Sequence, residues 1–261
     1  MAPRTQTGLA VSASGETWTL VNASPDLRTQ LLSAKALQPA GAVRSSPIAA
    51  VVLTGAEIDQ IAGLLDLREG HGFAVYGTPA VLDALDENPV FGGLDRGLVE
   101  RRPLAVGTDI RASGLRILAF DVPGKPPLYA EDRAARGGLT VGLEISEGSA
   151  RCLFIPGCAR ITPELAQRIA GAALLLLDGT TFTDDEMIAA GLSHKTAGRM
   201  GHMAMAGPAG TLAALSGLAV KRKLFIHINN SNPALIDGSP ERQYIREAGW
   251  DLAEDGMEFE L

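Results

Sequence analysis

Cysteine is scarce in this chain. Its 261 residues contain two, Cys152 and Cys158. A disulfide framework is thereby excluded, and a reducing compartment, the cytoplasm, is the expected location. Long apolar runs are missing too. The longest, Ile169 to Leu177, falls far short of the roughly 20 residues a membrane-spanning helix needs. The polar start, Pro3-Arg4-Thr5-Gln6-Thr7, does not read as a signal peptide, so no membrane partner is expected. Basic runs are absent as well. Lys+Arg number 23 against 30 Asp+Glu, for a net charge of −7, which argues against nucleic acid as a partner. No G-x-G-x-x-G follows the first strand-like segment, which removes the main sequence support for a Rossmann fold. An H-x-H-x-D-H run is also lacking, and histidine occurs only four times.

What remains is a globular composition, 46% hydrophobic with a mean hydropathy of +0.13, long enough to bury a large core. Gly8 to Ser12 and Glu16 to Val21 read as a hairpin around Ala13-Ser14-Gly15. Asn22 to Asp26 reads as a turn and helix cap, with a helix to about Ala36. The apolar run Ile48 to Leu53 predicts a strand buried on both faces. A helix over Glu57 to Leu65, a strand at Ala74 to Tyr76 and a helix capped by Thr78-Pro79 follow. Strands are expected at Leu115 to Asp121, Leu139 to Ile145 and Arg151 to Ile155. Then come a helix (Pro163 to Ala170), a buried strand (Ala173 to Asp178), a helix (Pro208 to Leu215), a strand ending at His227, a helix (Glu241 to Ala248) and a last hairpin within Trp250 to Leu261. β-Meanders followed by βα units, twice, predict an α/β chain of the αββα type. Two mixed β-sheets would pack face to face with helices on the outer faces, in one domain over residues 1–261.

Four residues stand out chemically. His227 ends the apolar run Leu224-Phe225-Ile226 and precedes Asn229-Asn230-Ser231-Asn232. His202 follows Arg199-Met200-Gly201. Each histidine sits where an apolar element meets a turn, a place suited to a metal or substrate, or simply to a hydrogen bond with local backbone. Asp178 ends Leu174-Leu175-Leu176-Leu177. A carboxylate there needs a donor, a cation or a metal, or it caps the turn at Gly179-Thr180. Asp59 lies early in a helix entered from a buried strand, where it can reach a sheet edge or favour the helix N-terminus. Two imidazoles and a carboxylate suit Fe(II) with open positions, or Zn(II). His71 and His194 read as solvated loop residues, Cys152 as core, and Cys158 as structural rather than reactive.

Asn22-Ala23-Ser24-Pro25-Asp26-Leu27-Arg28, Gly63-Leu64-Leu65-Asp66-Leu67-Arg68-Glu69-Gly70, Val122-Pro123-Gly124-Lys125, Ile155-Pro156-Gly157-Cys158-Ala159-Arg160, Asp178-Gly179-Thr180, Arg199-Met200-Gly201-His202 and His227-Ile228-Asn229-Asn230 occur in this order along the chain. Together they resemble the pyrroloquinoline quinone (PQQ) biosynthesis protein B family. The resemblance implies a metallo-β-lactamase-like fold and a part in making PQQ. It implies either Fe(II)- and O₂-dependent hydroxylation of a tyrosine-derived precursor, or non-catalytic carriage of PQQ or that precursor towards the periplasm. A metal-dependent hydrolase is the remaining alternative. Carried over by motif, Asp59, His202, His227 and Asp178 form the metal site. Gln60 stands where the family has histidine, which is expected to weaken that site because an amide is a poor transition-metal ligand. The family's Gly- and Cys-rich first segment, with its structural zinc site, is expected to be absent. Thr7 to Ser12 should then lie at a sheet edge, where pairing with a second copy would give a homo-oligomer.

Overall fold

The computed structural model describes residues 3–41, 45–127, 129 and 138–261. Its strands form two mixed sheets, one of five strands and one of seven. The chain divides into two compact units. The first comprises Thr5–Asp121 and Pro126–Glu147, the second Met1–Arg4, Val122–Lys125 and Gly148–Leu261.

The first unit opens with a hairpin, β1 (Leu9–Val11) against β2 (Trp18–Val21). Helix α1 (Leu27–Ser33) leads to β3 (Ile48–Val52), which runs parallel to β2. Val51 and Val52 are fully buried, as a continuous apolar run predicts for an interior strand. Helix α2 (Ile58–Ile61) and a 3₁₀ segment (Ala62–Leu67) return the chain to β4 (Phe73–Gly77), again parallel. Thr78 caps α3 (Pro79–Glu87) by accepting from the Val81 N–H, with proline at the first helical position, where its missing N–H costs nothing. A parallel strand, β5 (Val99–Pro103), completes the order β1-β2-β3-β4-β5. Thus β1 is an edge, as expected of Thr7 to Ser12. The core gathers Leu20, Val51, Leu53, Leu64, Val75, Val81 and Leu85.

Three antiparallel strands follow in the same unit: β6 (Asp109–Ala112), β7 (Leu115–Asp121) and β8 (Val141–Glu147). Ser113 (φ 48°) and Gly114 (φ 82°) form the β6–β7 turn. Positive φ at both turn residues matches the right-handed twist of a two-residue hairpin. Neither β5 nor β6 is apparent from periodicity, because both are rich in charge.

The second unit is a run of βα repeats. Strands β9 (Ala150–Ile155), β10 (Leu174–Asp178), β11 (Arg222–Ile226) and β12 (Asp251–Leu252) are parallel, in the order β12-β11-β10-β9. Between them lie α4 (Pro163–Ile169), α5 (Glu186–Ala189), α6 (Ala197–Met200), α7 (Thr211–Ala214) and α8 (Pro240–Glu247). The tail corrects the hairpin expected within Trp250 to Leu261. It adds one short strand parallel to β11, because α8 makes it the end of a crossover rather than of a tight turn. Trp250 anchors it by stacking on Phe225, ring centroids 4.4 Å apart. Among the described residues, no helix is long and apolar enough to cross a membrane.

Candidate metal centre

Asp178 closes β10, and its strand partner on β11 is Ile226. His227 is the next residue, so both side chains arise at the carboxyl ends of adjacent parallel strands. Loops that leave such ends are where α/β sheets build sites. His227 takes φ 53°, a left-handed turn that stops β11 and swings the chain into the Asn229–Asn232 loop. Asn229 and Asn232 pin that loop to the one after β10: the Asn229 N–H donates to the Thr180 carbonyl (3.0 Å), and Asn232 Nδ2 to the Gly179 carbonyl (3.2 Å). Only glycine fits at 179, since a Cβ there would lie 2.6 Å from Met205 Cε and 2.8 Å from Phe225 Cβ. His202 is delivered differently. Helix α6 ends at Gly201 in the left-handed region (φ 95°), and the His202 N–H folds back to the Ala197 carbonyl at 3.0 Å. This is the Schellman way of ending a helix.

These turns bring Asp178, His202 and His227 together, each offering one ligand atom within 4.8 Å of the others. His202 Nδ1 lies 2.7 Å from Asp178 Oδ2, and His227 Nδ1 lies 3.7 Å from Oδ1. The imidazoles stack, centroids 5.3 Å apart at 19°. Asp178 is 1% exposed, whereas the His202 and His227 side chains are 20% and 24% exposed, so the imidazoles face solvent and the carboxylate backs them. Oδ2 also accepts from the Cys158 N–H (3.0 Å), and Oδ1 from the Thr180 N–H (3.1 Å) and hydroxyl (2.7 Å). Burial alone would raise the Asp178 carboxyl. The charge and hydrogen bond of His202, joined by those of His227, outweigh it and hold the carboxyl well below the ordinary range. Asp178 is therefore an anion at neutral pH.

Thr180 is the residue that sequence reasoning passed over. Its hydroxyl lies 3.0 Å from His202 Nδ1, 2.9 Å from His227 Nδ1 and 3.1 Å from the His227 carbonyl oxygen. The available signal was a hydroxyl two residues after a strand-ending aspartate. Asp59 lies on α2 in the first unit and is not one of the three clustered residues. Its neighbour Gln60 is buried and completes a capping box: the amide oxygen accepts from the Glu57 N–H at 3.3 Å. His194 is exposed, as expected. His71 is not the solvated residue expected. Its ring stacks on Phe73 (5.2 Å) with Nε2 buried, and burial lowers its pKa. Both cysteines are buried and reduced. Burial pushes the Cys152 thiol up to about 12, and burial together with the Asp178 charge does the same for Cys158. Neither behaves as a nucleophile at neutral pH.

Two imidazoles and an ionised carboxylate fit a divalent transition metal. Zn(II) takes nitrogen and carboxylate oxygen, and the same trio with open positions serves non-haem Fe(II).

The model of the beta-lactamase superfamily domain matches residues 17–228. Coenzyme PQQ synthesis protein B of Gluconacetobacter diazotrophicus is 51% identical over 97% of this chain and 87% of its own length. The chain belongs to the coenzyme PQQ synthesis protein B family. Its fold is accordingly the metallo-β-lactamase fold, two mixed sheets with helices. The crystal structure of Zn²⁺-bound PqqB from Methylobacterium extorquens superposes with a TM-score of 0.96 at 45% identity, over 100% of this chain and 89% of that one. A diphosphatase of the PhnP family shares the fold alone, with a TM-score of 0.66 at 21% identity over 97% of this chain and 82% of the other. The resemblance read from the sequence motifs is thus borne out.

Proposed function

We propose that the chain serves PQQ synthesis by hydroxylating a tyrosine-derived precursor at an Fe(II) centre supported by Asp178, His202 and His227. The observation that carries this reading is the meeting of two imidazoles and a buried carboxylate at the ends of β10 and β11, in a chain of this family. Bound Fe(II) would supply activation of O₂, chemistry that no side chain of the cluster has by itself. His202 and His227 present their imidazoles on the solvent side. Asp178 places a buried negative charge behind them, which favours a cation and raises the basicity of the imidazoles. Asn229 and Asn232 tie the loop that follows His227 to the start of the loop after β10, and the turn at Gly201 sets His202. The proposed location is the cytoplasm, in keeping with two free cysteines.

The test uses anaerobically purified protein, a tyrosine-containing precursor peptide, O₂ and a two-electron reductant. One oxygen atom enters the ring and the other leaves as water. Product is expected with Fe(II) and not with Zn(II), which has no redox chemistry. His227→Ala should abolish it. Product formed equally with Zn(II), or without oxygen, overturns the oxygenase reading. A second reading, binding of PQQ or a precursor without turnover, is favoured by Gln60, whose amide is committed to a helix cap instead of offering an imidazole. Saturable binding with no turnover under any metal would establish that reading in place of the first.

A further inference from the structure

Between β10 and His202 the chain makes a long excursion. Its base is fastened where the Met205 and Ala206 N–H groups donate to the Thr181 (3.0 Å) and Phe182 (2.9 Å) carbonyls. Asp184 ties α6, the helix that delivers His202, to the first arm of this excursion. The Asp184 carbonyl accepts from the Ala197 N–H at 2.8 Å, and its Oδ1 accepts from the Gly198 N–H at 2.9 Å. Two residues further on stands Glu186, buried and outside the cluster of Asp178, His202 and His227. Its Oε2 accepts from the Phe182 N–H at 2.6 Å, within the excursion. Its Oε1 accepts from the Ser231 hydroxyl at 2.8 Å, in the loop that follows His227. Met187 meets the same loop: its sulfur lies 3.0 Å from Asn229 Nδ2 and 3.3 Å from Ser231 Oγ. A thioether is a weak acceptor, so the Ser231 proton goes to the carboxyl oxygen. Asn229 Nδ2 in turn donates to Ser231 Oγ at 3.0 Å.

We propose that Glu186 is a positioning residue that latches the excursion carrying His202 to the loop that follows His227, and so sets the spacing of the two imidazoles before a metal arrives. Burying a carboxyl group costs free energy unless its oxygens are hydrogen-bonded. Here one oxygen is satisfied from each segment, so the burial is compensated only while the two segments stay together. His202 and His227 need such a device. Both lie in turns beyond the ends of regular elements, and side chains on loops are held loosely unless a supporting shell locks them. On one side the latch reaches His202 through Asp184 and α6, whose Ala197 carbonyl accepts the His202 N–H at 3.0 Å. On the other it reaches His227 through Ser231 and Asn229, whose own N–H donates to the Thr180 carbonyl at 3.0 Å. The stacked imidazoles, centroids 5.3 Å apart, stand between these two arms.

The inference rests on the metal-centre reading, but its first test needs no metal. In the metal-free protein, cross-relaxation between the ring protons of His202 and His227 reports their spacing. Ser231→Ala cuts the link between the segments and leaves the Phe182–Glu186 bond. It should weaken that cross-peak and lower Zn(II) affinity by roughly tenfold, the low end of what outer partners contribute. Glu186→Ala should do the same. Glu186→Gln should keep both near wild type, because the amide oxygen can take the Phe182 N–H while the amide nitrogen donates to the Ser231 oxygen. A merely structural Glu186 would move the unfolding midpoint and leave the cross-peak and affinity of folded variants alone. A folded Ser231→Ala with the wild-type cross-peak and affinity therefore overturns the proposal. Hydrogen exchange of the wild type decides the matter should the variants fail to fold. The Phe182 amide should exchange slowly, together with the Asn229 amide of the facing loop; exchange at the rate of a free loop amide overturns the latch. A wild type that binds no Zn(II), yet shows a cross-peak that Ser231→Ala loses, would sink the metal centre and leave the latch standing.

Discussion

His227 occupies a conformation that its side chain disfavours. A non-glycine residue in the left-handed region costs roughly 1–2 kcal/mol, and such strain persists where the surroundings over-determine it, often at a site. Here the surroundings are the Thr180 hydroxyl, which faces both the ring and the carbonyl of His227, and the Asn229–Thr180 backbone bond. The cost can be measured by comparing two truncations. Both His227→Ala and His227→Gly lose the ring, but only glycine relieves the backbone. In the metal-free protein, urea unfolding should find His227→Gly more stable than His227→Ala by about 1 kcal/mol. Equal stabilities would mean that the turn carries no strain. At this scale the histidines were legible because each marks a junction between an apolar element and a turn. Thr180 was not, since a threonine after a strand-ending aspartate reads equally well as a turn residue; only the fold shows what surrounds its hydroxyl. His71 was misread for the converse reason. Its loop context suggests water, whereas the neighbouring strand residue Phe73 covers its ring.

Among the elements, those with explicit start signals were read best. Thr78-Pro79 was read as a cap, and its hydroxyl accepts the Val81 N–H; Thr162-Pro163 and Ser239-Pro240, whose helices were read without their caps, repeat the same arrangement. Strand β5 hid because Glu100, Arg101 and Arg102 break any apolar pattern; Glu100 and Arg102 are exposed, in keeping with its edge position and with the way edges are protected by charge. The final hairpin was misjudged because two short apolar stretches at a chain end do not reveal whether they pair with each other or with an earlier strand. Helix α2 gives the sharpest element-level prediction. Gln60 closes a capping box with Glu57, so Gln60→His removes a reciprocal hydrogen bond, while Gln60→Glu keeps a side chain that can make it. Gln60→Glu should unfold near the wild-type midpoint. Gln60→His should lose about 1 kcal/mol, the usual cost of a lost cap. An unchanged Gln60→His would show that the cap contributes nothing to stability, and would free position 60 to be judged on metal affinity alone.

On the scale of the whole molecule, the fold was legible through ordered motifs spread along the chain more than through any one periodic segment. The candidate metal cluster draws on three residues separated by 24 and 25 positions (178 to 202, 202 to 227). No local pattern states that β10 and β11 lie side by side; their pairing, Asp178 opposite Ile226, creates the site. A site assembled from such distant segments exists only in the folded chain, so any metal bound there must stabilise the fold by linkage. At a free Zn(II) concentration one hundred times Kd the gain is about 2.7 kcal/mol. For a protein of this size that corresponds to a rise in Tm of roughly 5–10 °C. Calorimetric scans of metal-free protein with increasing Zn(II) should show that rise in wild type. The double variant His202→Ala/His227→Ala should show none, because a lone carboxylate is a weak ligand for Zn(II). A matching rise in the double variant would place the metal elsewhere in the molecule. A wild type unmoved by saturating Zn(II) would mean that the cluster, despite its donor chemistry, serves to hold two histidines for a purpose other than metal binding.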